Sequence, residues 1–167
     1  RIFEAFEKLK LNQIEYIINL QGDEPLIDKN DIINLNNLAI KNKSEIATLA
    51  CKIKNKEIKN KNIVKVICNE NIEKNKISSA KTFVRSINDN DTNNVYHHIG
   101  IYIYKVSILK RLVGLEQSSS EKNLKLEQLR AIDNNIKIHV VSANSSPIGV
   151  DTNEDYMEIK KLMEYKS

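Results

Sequence analysis

Residues 96–104 alternate with a period of two: His98, Gly100, Tyr102 and Tyr104 fall on one side, and Ile99, Ile101 and Ile103 fall on the other. Successive side chains of an extended strand point to opposite faces, whereas a helix would scatter these residues around its axis. The run therefore predicts a strand with one apolar face and one aromatic, polar face. An apolar strand face needs a covering layer, and the rest of the chain supplies candidates for it.

Ile2, Phe3, Phe6, Leu9 and Leu11 stand at near-helical spacing and predict an opening amphipathic helix. Residues 16–20 form a compact apolar run of the kind found in a strand covered on both faces. It is closed by Gln21-Gly22-Asp23-Glu24-Pro25, where Gly and Pro stop regular structure. Asp28 then stands as an N-cap before Ile32, Ile33, Leu35, Leu38 and Ala39, the apolar face of a helix. Residues 46–53, 63–68 and 137–141 read as further strands, and residues 106–115 and 121–133 as helices, with Ser118 to Ser120 as cap candidates. Thr152, followed by Asp155, opens a last helix through Tyr156, Ile159, Leu162 and Met163. Between residues 70 and 94 no period holds; the expectation is a short strand near Ile77 and a loop over 88–94. Strands alternating with helices argue for an α/β sheet.

A length of 167 residues with 41% apolar content suits one domain with a real core. The net charge of +4 does not form a basic face, because 22 acidic residues are interspersed with 26 basic ones, so no nucleic-acid partner is expected. Lys52, Lys54, Lys56, Lys59 and Lys61 read as a solvated connection. Cys51 and Cys68 lie in strand-like apolar runs without zinc or disulfide spacing, and no apolar run reaches the ~20 residues that span a bilayer. The expectation is a cytoplasmic chain with reduced thiols and no membrane insertion.

Ligands of α/β sheets collect beyond the carboxyl ends of strands. Two acidic loops qualify here, one with Asp23 beside Gly22 and one with Asp151 near Gly149. Two carboxylates converging at one sheet edge suit Mg²⁺, which takes its remaining ligands from water and substrate phosphates. The spacing leaves a plainer reading open, in which Asp23 caps a turn and Asp151 caps the last helix.

The run Gln21-Gly22-Asp23-Glu24-Pro25-Leu26-Ile27 resembles the signature loop of the 3-deoxy-manno-octulosonate (Kdo) cytidylyltransferases. Ala47-Thr48-Leu49-Ala50, Val64-Lys65-Val66, His98-Ile99-Gly100-Ile101-Tyr102, Leu126-Glu127-Gln128-Leu129-Arg130, Lys137-Ile138-His139-Val140 and Gly149-Val150-Asp151-Thr152 recur in that family's order, over nearly the whole chain. The resemblance implies a Rossmann-like nucleotidyltransferase sheet flanked by helices, with a small dimerisation insertion at about residues 70–105, and a homodimer. It implies transfer of CMP from CTP to Kdo for lipopolysaccharide biosynthesis, with release of pyrophosphate. It gives Asp23 and Asp151 the role of catalytic Mg²⁺ ligands, and Gln21, His98, Tyr102, Glu127 and Gln128 the role of substrate ligands. Arg1 and Gln21 become nucleotide ligands, and His97 is expected to point away from the pocket. Kdo is a polyhydroxylated acid, so Glu127 would accept from its hydroxyls, and His98 or Tyr102 would donate to its carboxylate.

The chain departs from the family's pattern in three places. It begins at Arg1 without the N-terminal strand and loop that bind CTP, so residues 1–167 read as one incomplete nucleotidyltransferase domain, expected to bind CTP poorly and to be inactive alone. Ser79 stands where the family has an arginine, and Leu124 where an acid is common. Both bear on sugar preference or the dimer contact and leave room for another sugar acid, an 8-amino ulosonate or a sialic acid; a separate alternative is a non-catalytic sugar-binding or dimerisation module.

Overall fold

The computed structural model describes residues 1–22, 24–87, 93–144, 149–150 and 152–164, without the side chain of Asp155. The alternating segment at 96–104 is the centre of the fold. It forms β5 (Val95–Lys105), the longest strand, paired antiparallel along one edge with β2 (Ile46–Lys52). Its other edge is shared. β1 (Tyr16–Asn19) pairs with the C-terminal half, Asn19 opposite Tyr102, and β3 (Lys65–Cys68) pairs with the N-terminal half, Lys65 opposite His97.

β3 continues antiparallel to β4 (Ile77–Val84), which pairs with β6 (Ile138–Ser142), and β6 runs parallel to β2. The order β5-β2-β6-β4-β3 thus returns to β5, and the sheet closes on itself. The β3–β5 pairing closes it, and every pairing described except β2–β6 is antiparallel, so those neighbours need no crossover helix between them.

The alternation of β5 sorts two cores. Ile99, Ile101 and Ile103 pack with Ala47, Leu49 and Cys51 of β2 under Leu35, Leu38 and Ala39 of α2 (Lys29–Lys41). On the opposite face Tyr102 packs with Ile46, Ala50, Phe83 and Val140, covered by Leu126, Leu129 and Ala131. Those last residues belong to a helical segment that also holds α4 (Val106–Val113), α5 (Ser119–Leu124) and α6 (Leu129–Asp133). At ~25 cal/mol per Å² of apolar surface, burial on both faces of β5 stabilises this arrangement.

Local chemistry sets the element ends. Asp28 caps α2 by accepting from the Asn30 N–H at 2.8 Å, as expected from its position. Ser118 does the same for α5 through Glu121 N. The helix expected over 121–133 is instead two helices, because Lys125 adopts a left-handed φ of 53° and ends α5. The lysine-rich connection contains a short helix, α3 (Asn55–Ile58), with Glu57 buried. The strand near Ile77 is longer than expected, and residues 88–92 of the expected loop lie outside the described residues. α1 (Ile2–Leu9) and α7 (Asn153–Glu164) complete the chain, the latter anchored by buried Ile159. Both cysteines are buried, and burial pushes the Cys68 thiol up to about 12. No described helix is long and apolar enough to cross a membrane.

Candidate functional site

Because β1 and β3 share one edge of β5 without meeting, the backbone of β5 lacks a strand partner between His98 and Gly100 on that side. A buried amide must find an acceptor elsewhere. The Val64 carbonyl takes the His98 N–H at 3.0 Å, and Glu24 Oε1 takes the Gly100 N–H at 3.1 Å. The loop after β1 is thereby tied to the middle of β5. Gly100 also lets that loop come close: a Cβ there would stand 3.2 Å from the Gln21 side-chain oxygen.

A cleft of about 1530 Å³ opens at this gap. Among its walls are Arg1, Gln21, His98, Tyr102, Glu127 and Gln128, which come from four separate segments of the chain. Gly22 and Glu24, on either side of Asp23, line it, as do Gly149 and Thr152, near and next to Asp151. Asp23 and Asp151 themselves lie outside the described residues. Among the described residues no group of three or more His, Cys, Asp or Glu is placed to hold a metal ion.

On the other flank of the sheet, Asp31 of α2 fixes the exit of β6 by accepting from Asn144 N at 3.1 Å and from its Nδ2 at 2.8 Å. Burial raises the Asp31 carboxyl, and the bond from the Asn144 N–H opposes that shift.

The floor of the cleft is built from buried side chains. A bulge in β5 sets Thr48 opposite Tyr102 but its neighbour Leu49 opposite Ile99, which takes carbonyls of β5 out of the ladder. Fully buried Thr48 recovers them, donating to Ile101 O at 2.7 Å, with Ile99 O at 3.2 Å. The threonine hydroxyl carries one proton, so towards His98 Nε2, 3.1 Å away, its oxygen accepts. His98 therefore carries its proton on Nε2 and presents Nδ1 as an acceptor. Burial, helped by neighbouring His97, lowers the His98 pKa to about 3, so the ring is neutral at ordinary pH.

With that tautomer the second ring nitrogen is able to accept a hydrogen bond, whereas the sequence reading has His98 as a donor. Phe83 meets the His98 ring edge-on at 5.1 Å between centroids, and Tyr102 and Tyr104 continue the row at 5.4 and 5.6 Å. The buried Tyr102 hydroxyl has no well-aligned hydrogen-bond partner among the described residues, although nearby Thr48 opposes the rise of its pKa. Burial, and then proximity to Tyr104, raises its pKa well above the ordinary phenol value, so it stays protonated.

The rim is polar and charged. His97, expected to face away, lines the cleft, with Nδ1 3.3 Å from Glu57 Oε2. The same carboxylate oxygen accepts the Lys54 N–H at 2.9 Å. Burial alone raises a carboxyl, but these bonds outweigh it and hold Glu57 below its ordinary range. Burial likewise lowers His97, with the bond to Glu57 opposing. Glu127 and Gln128, expected on a helix, stand in the turn that enters α6, with Gln128 as its N-cap. α5 and α6 are joined by Arg130, whose guanidinium meets buried Glu121 at 2.6 and 2.8 Å. That pairing holds Glu121 below and Arg130 above its usual range.

Sequence reasoning did not single out Glu24 apart from its loop, the Thr48 to His98 bond, or the Glu57–His97 and Glu121–Arg130 pairs. The first two lie inside quoted motifs. Nothing local marks the pairs, which join residues 40 and 9 positions apart.

A family model described as Cytidylyltransferase matches residues 1–138. The chain is 37% identical over 165 residues to the 3-deoxy-manno-octulosonate cytidylyltransferase of Bartonella bacilliformis, covering 98% of this chain and 67% of that protein. It is 41% identical over 175 residues to the protein of the same name from Thermodesulfovibrio yellowstonii, covering 98% and 68%. Among solved structures, CMP:2-keto-3-deoxy-manno-octonic acid synthetase complexed with CTP superposes with a TM-score of 0.85 at 29% identity, over 99% of this chain and 67% of that one. Apo UDP-glucose pyrophosphorylase, at TM-score 0.69 and 17% identity over 96% and 57%, shares the fold. The nucleotidyltransferase architecture with helices on both faces of the sheet is thus as the sequence reading has it.

Proposed function

Since the chain belongs to the cytidylyltransferase family, and within it to the 3-deoxy-manno-octulosonate enzymes, we propose that it transfers CMP from CTP to Kdo, giving CMP-Kdo and pyrophosphate for lipopolysaccharide biosynthesis. The observation that carries this reading is the single cleft that gathers Arg1, Gln21, His98, Tyr102, Glu127 and Gln128. A sugar acid with several hydroxyls needs neutral acceptors and donors along one wall and positive charge at its acid end. Nδ1 of His98 and the Glu127 carboxylate accept from hydroxyls, and the Tyr102 phenol donates. Lys54, Lys56 and Lys125, which also line the cleft, supply charge for the acid group. Arg1 at the entrance and Gln21 beside Gly100 are the nucleotide contacts in this reading.

In-line transfer of a phosphoryl group depends on positioning and charge compensation more than on covalent chemistry by the protein. Asp23 and Asp151 would hold Mg²⁺, supported by the cleft-lining positions of Gly22, Glu24, Gly149 and Thr152 around them and by the fit of hard carboxylate oxygens to that ion. When bound, the ion polarises phosphate oxygens. The chain's own part is to orient the sugar: His98 and Tyr102 hold their protons fixed across neutral pH, so the attacking hydroxyl meets a constant hydrogen-bonding wall. Operation in the cytoplasm as a homodimer belongs to the same proposal, and sedimentation equilibrium checks the dimer.

The test is release of pyrophosphate by the whole protein from CTP with Kdo, an 8-amino ulosonate or a sialic acid as acceptor. Turnover with Kdo at least tenfold above the others supports the assignment, and none with Kdo rejects it. Binding of Mn²⁺ followed by electron paramagnetic resonance tests the metal apart from turnover: Asp23→Asn and Asp151→Asn should each weaken it, and unchanged binding in both removes the metal assignment.

A further inference from the structure

Arg85, at the end of β4, has no part in the cleft wall, yet its guanidinium reaches two segments that form it. Nε donates to Leu124 O at 3.0 Å and Nη2 reaches Lys125 O at 3.4 Å, while Nη1 reaches Lys61 O at 3.3 Å. The first two carbonyls belong to the last turn of α5, where a helix leaves acceptors without intrahelical donors and a cation is favourable. Two residues further on stands Glu127, with Leu126 between them anchored in the core. The third carbonyl belongs to the segment that brings Asn60, Asn62 and Ile63 to a second part of the rim.

The backbone at Arg85 is itself fixed. Fully buried Lys65 donates through Nζ to Arg85 O at 2.9 Å, to Ile63 O at 2.8 Å and to Asn60 O. Lys65 therefore locks the end of β4 to one part of the rim, and Arg85 extends that lock to the other.

We propose that Arg85 is a positioning residue for the sugar-acid end of the cleft: it ties the segment bearing Glu127 and Gln128 to the segment bearing Asn60 and Asn62, and so sets the spacing of these two parts of the rim. The substrate named here rests on the proposed function; the tie itself rests on the three carbonyl contacts. Lysine cannot reproduce it, since an ammonium lacks the planar fork that addresses two segments at once.

Initial-rate kinetics and amide hydrogen exchange on the whole protein test this together. Arg85→Ala should raise KM for the sugar acid about tenfold, leaving kcat and KM for CTP within about twofold, the pattern of lost substrate binding without lost chemistry. Millimolar guanidinium ion should recover part of that loss, and Arg85→Lys should recover little. Exchange should quicken at residues 124–128 and 61–63 while residues 46–52 remain as protected as before. Unchanged KM values, or both KM values rising in parallel with lost global protection, overturn the positioning role. If the wild-type protein turns over no sugar acid, the proposed function fails, and exchange alone decides: unaltered protection at 124–128 then overturns the tie.

Discussion

The floor and the rim of the cleft solve the same problem, holding polar groups still beside a ligand, in opposite ways. The floor removes charge: His98, Tyr102 and Thr48 are buried, uncharged and joined by one hydrogen bond and ring contacts. The rim and the packing just behind it keep charge and surround it with partners, as Lys65 is by three carbonyls, Glu57 by His97 and Lys54 N, and Glu121 by Arg130. Desolvation is the controlling cost in both, and it is met by neutrality in one and by saturation with partners in the other. The floor should therefore be sensitive to pH and the rim to truncation.

Truncation of the rim gives the largest expected effect. Lys65→Met removes the shared donor of three carbonyls and should cost ~3 to 4 kcal/mol in urea unfolding; a loss below ~1 kcal/mol would mean that the carbonyls find other partners. Glu121→Gln strands the Arg130 charge at low exposure and should cost about 3 kcal/mol, with Arg130→Met close behind; losses that simply add in the double variant would deny the coupling.

The floor responds more gently. Thr48→Val leaves the His98 N–H and the bulge carbonyls unmatched and should cost ~1 to 3 kcal/mol, with ¹⁵N chemical shifts of the ring showing the loss of a fixed Nε2–H tautomer. A wild-type ring protonated on Nδ1 would contradict the assignment.

The largest histidine shift belongs to the floor. Unfolded histidine titrates near 6.5 and His98 in the folded chain near 3, so between these values the unfolded chain binds the extra proton. Stability from this group is complete above pH 6.5 and falls as pH drops towards 3, by at most ~1.4 kcal/mol per pH unit. His97 and His139, also lowered by burial, contribute in the same direction. His98→Gln should flatten the slope between pH 6 and 4.5, and an unchanged slope would show that the ring is hydrated in the fold. Smallest of all, Gly100→Ala should displace the Gln21 carboxamide by a few tenths of an ångström and weaken substrate binding about twofold to fivefold in titration calorimetry, without altering stability beyond ~1 kcal/mol.

The sequence makes the floor legible and the rim almost opaque. Period-two alternation over 96–104 places His98 and Tyr102 on one face without knowledge of any other segment, and the Gly-Asp-Glu-Pro run marks the loop that meets them. Local rules also find the Asp28 and Ser118 caps. Closure of the sheet escapes such rules, since it depends on β3 and β1 dividing one edge of β5, a competition between segments about 45 residues apart. Rim charges escape for a related reason: the partners of Lys65 and Arg85 are backbone carbonyls, which carry no residue signature. The split of α5 from α6 turns on one left-handed lysine, a conformation that sequence preference assigns to glycine or asparagine.

The most direct measurement is difference density from crystals of the whole protein soaked with Kdo. The account predicts a sugar acid lying between Nδ1 of His98, the Tyr102 hydroxyl and the Glu127 carboxylate, with a hydroxyl and not the carboxylate against His98. Density for the sugar elsewhere on the protein, or with its carboxylate paired to His98, would contradict it.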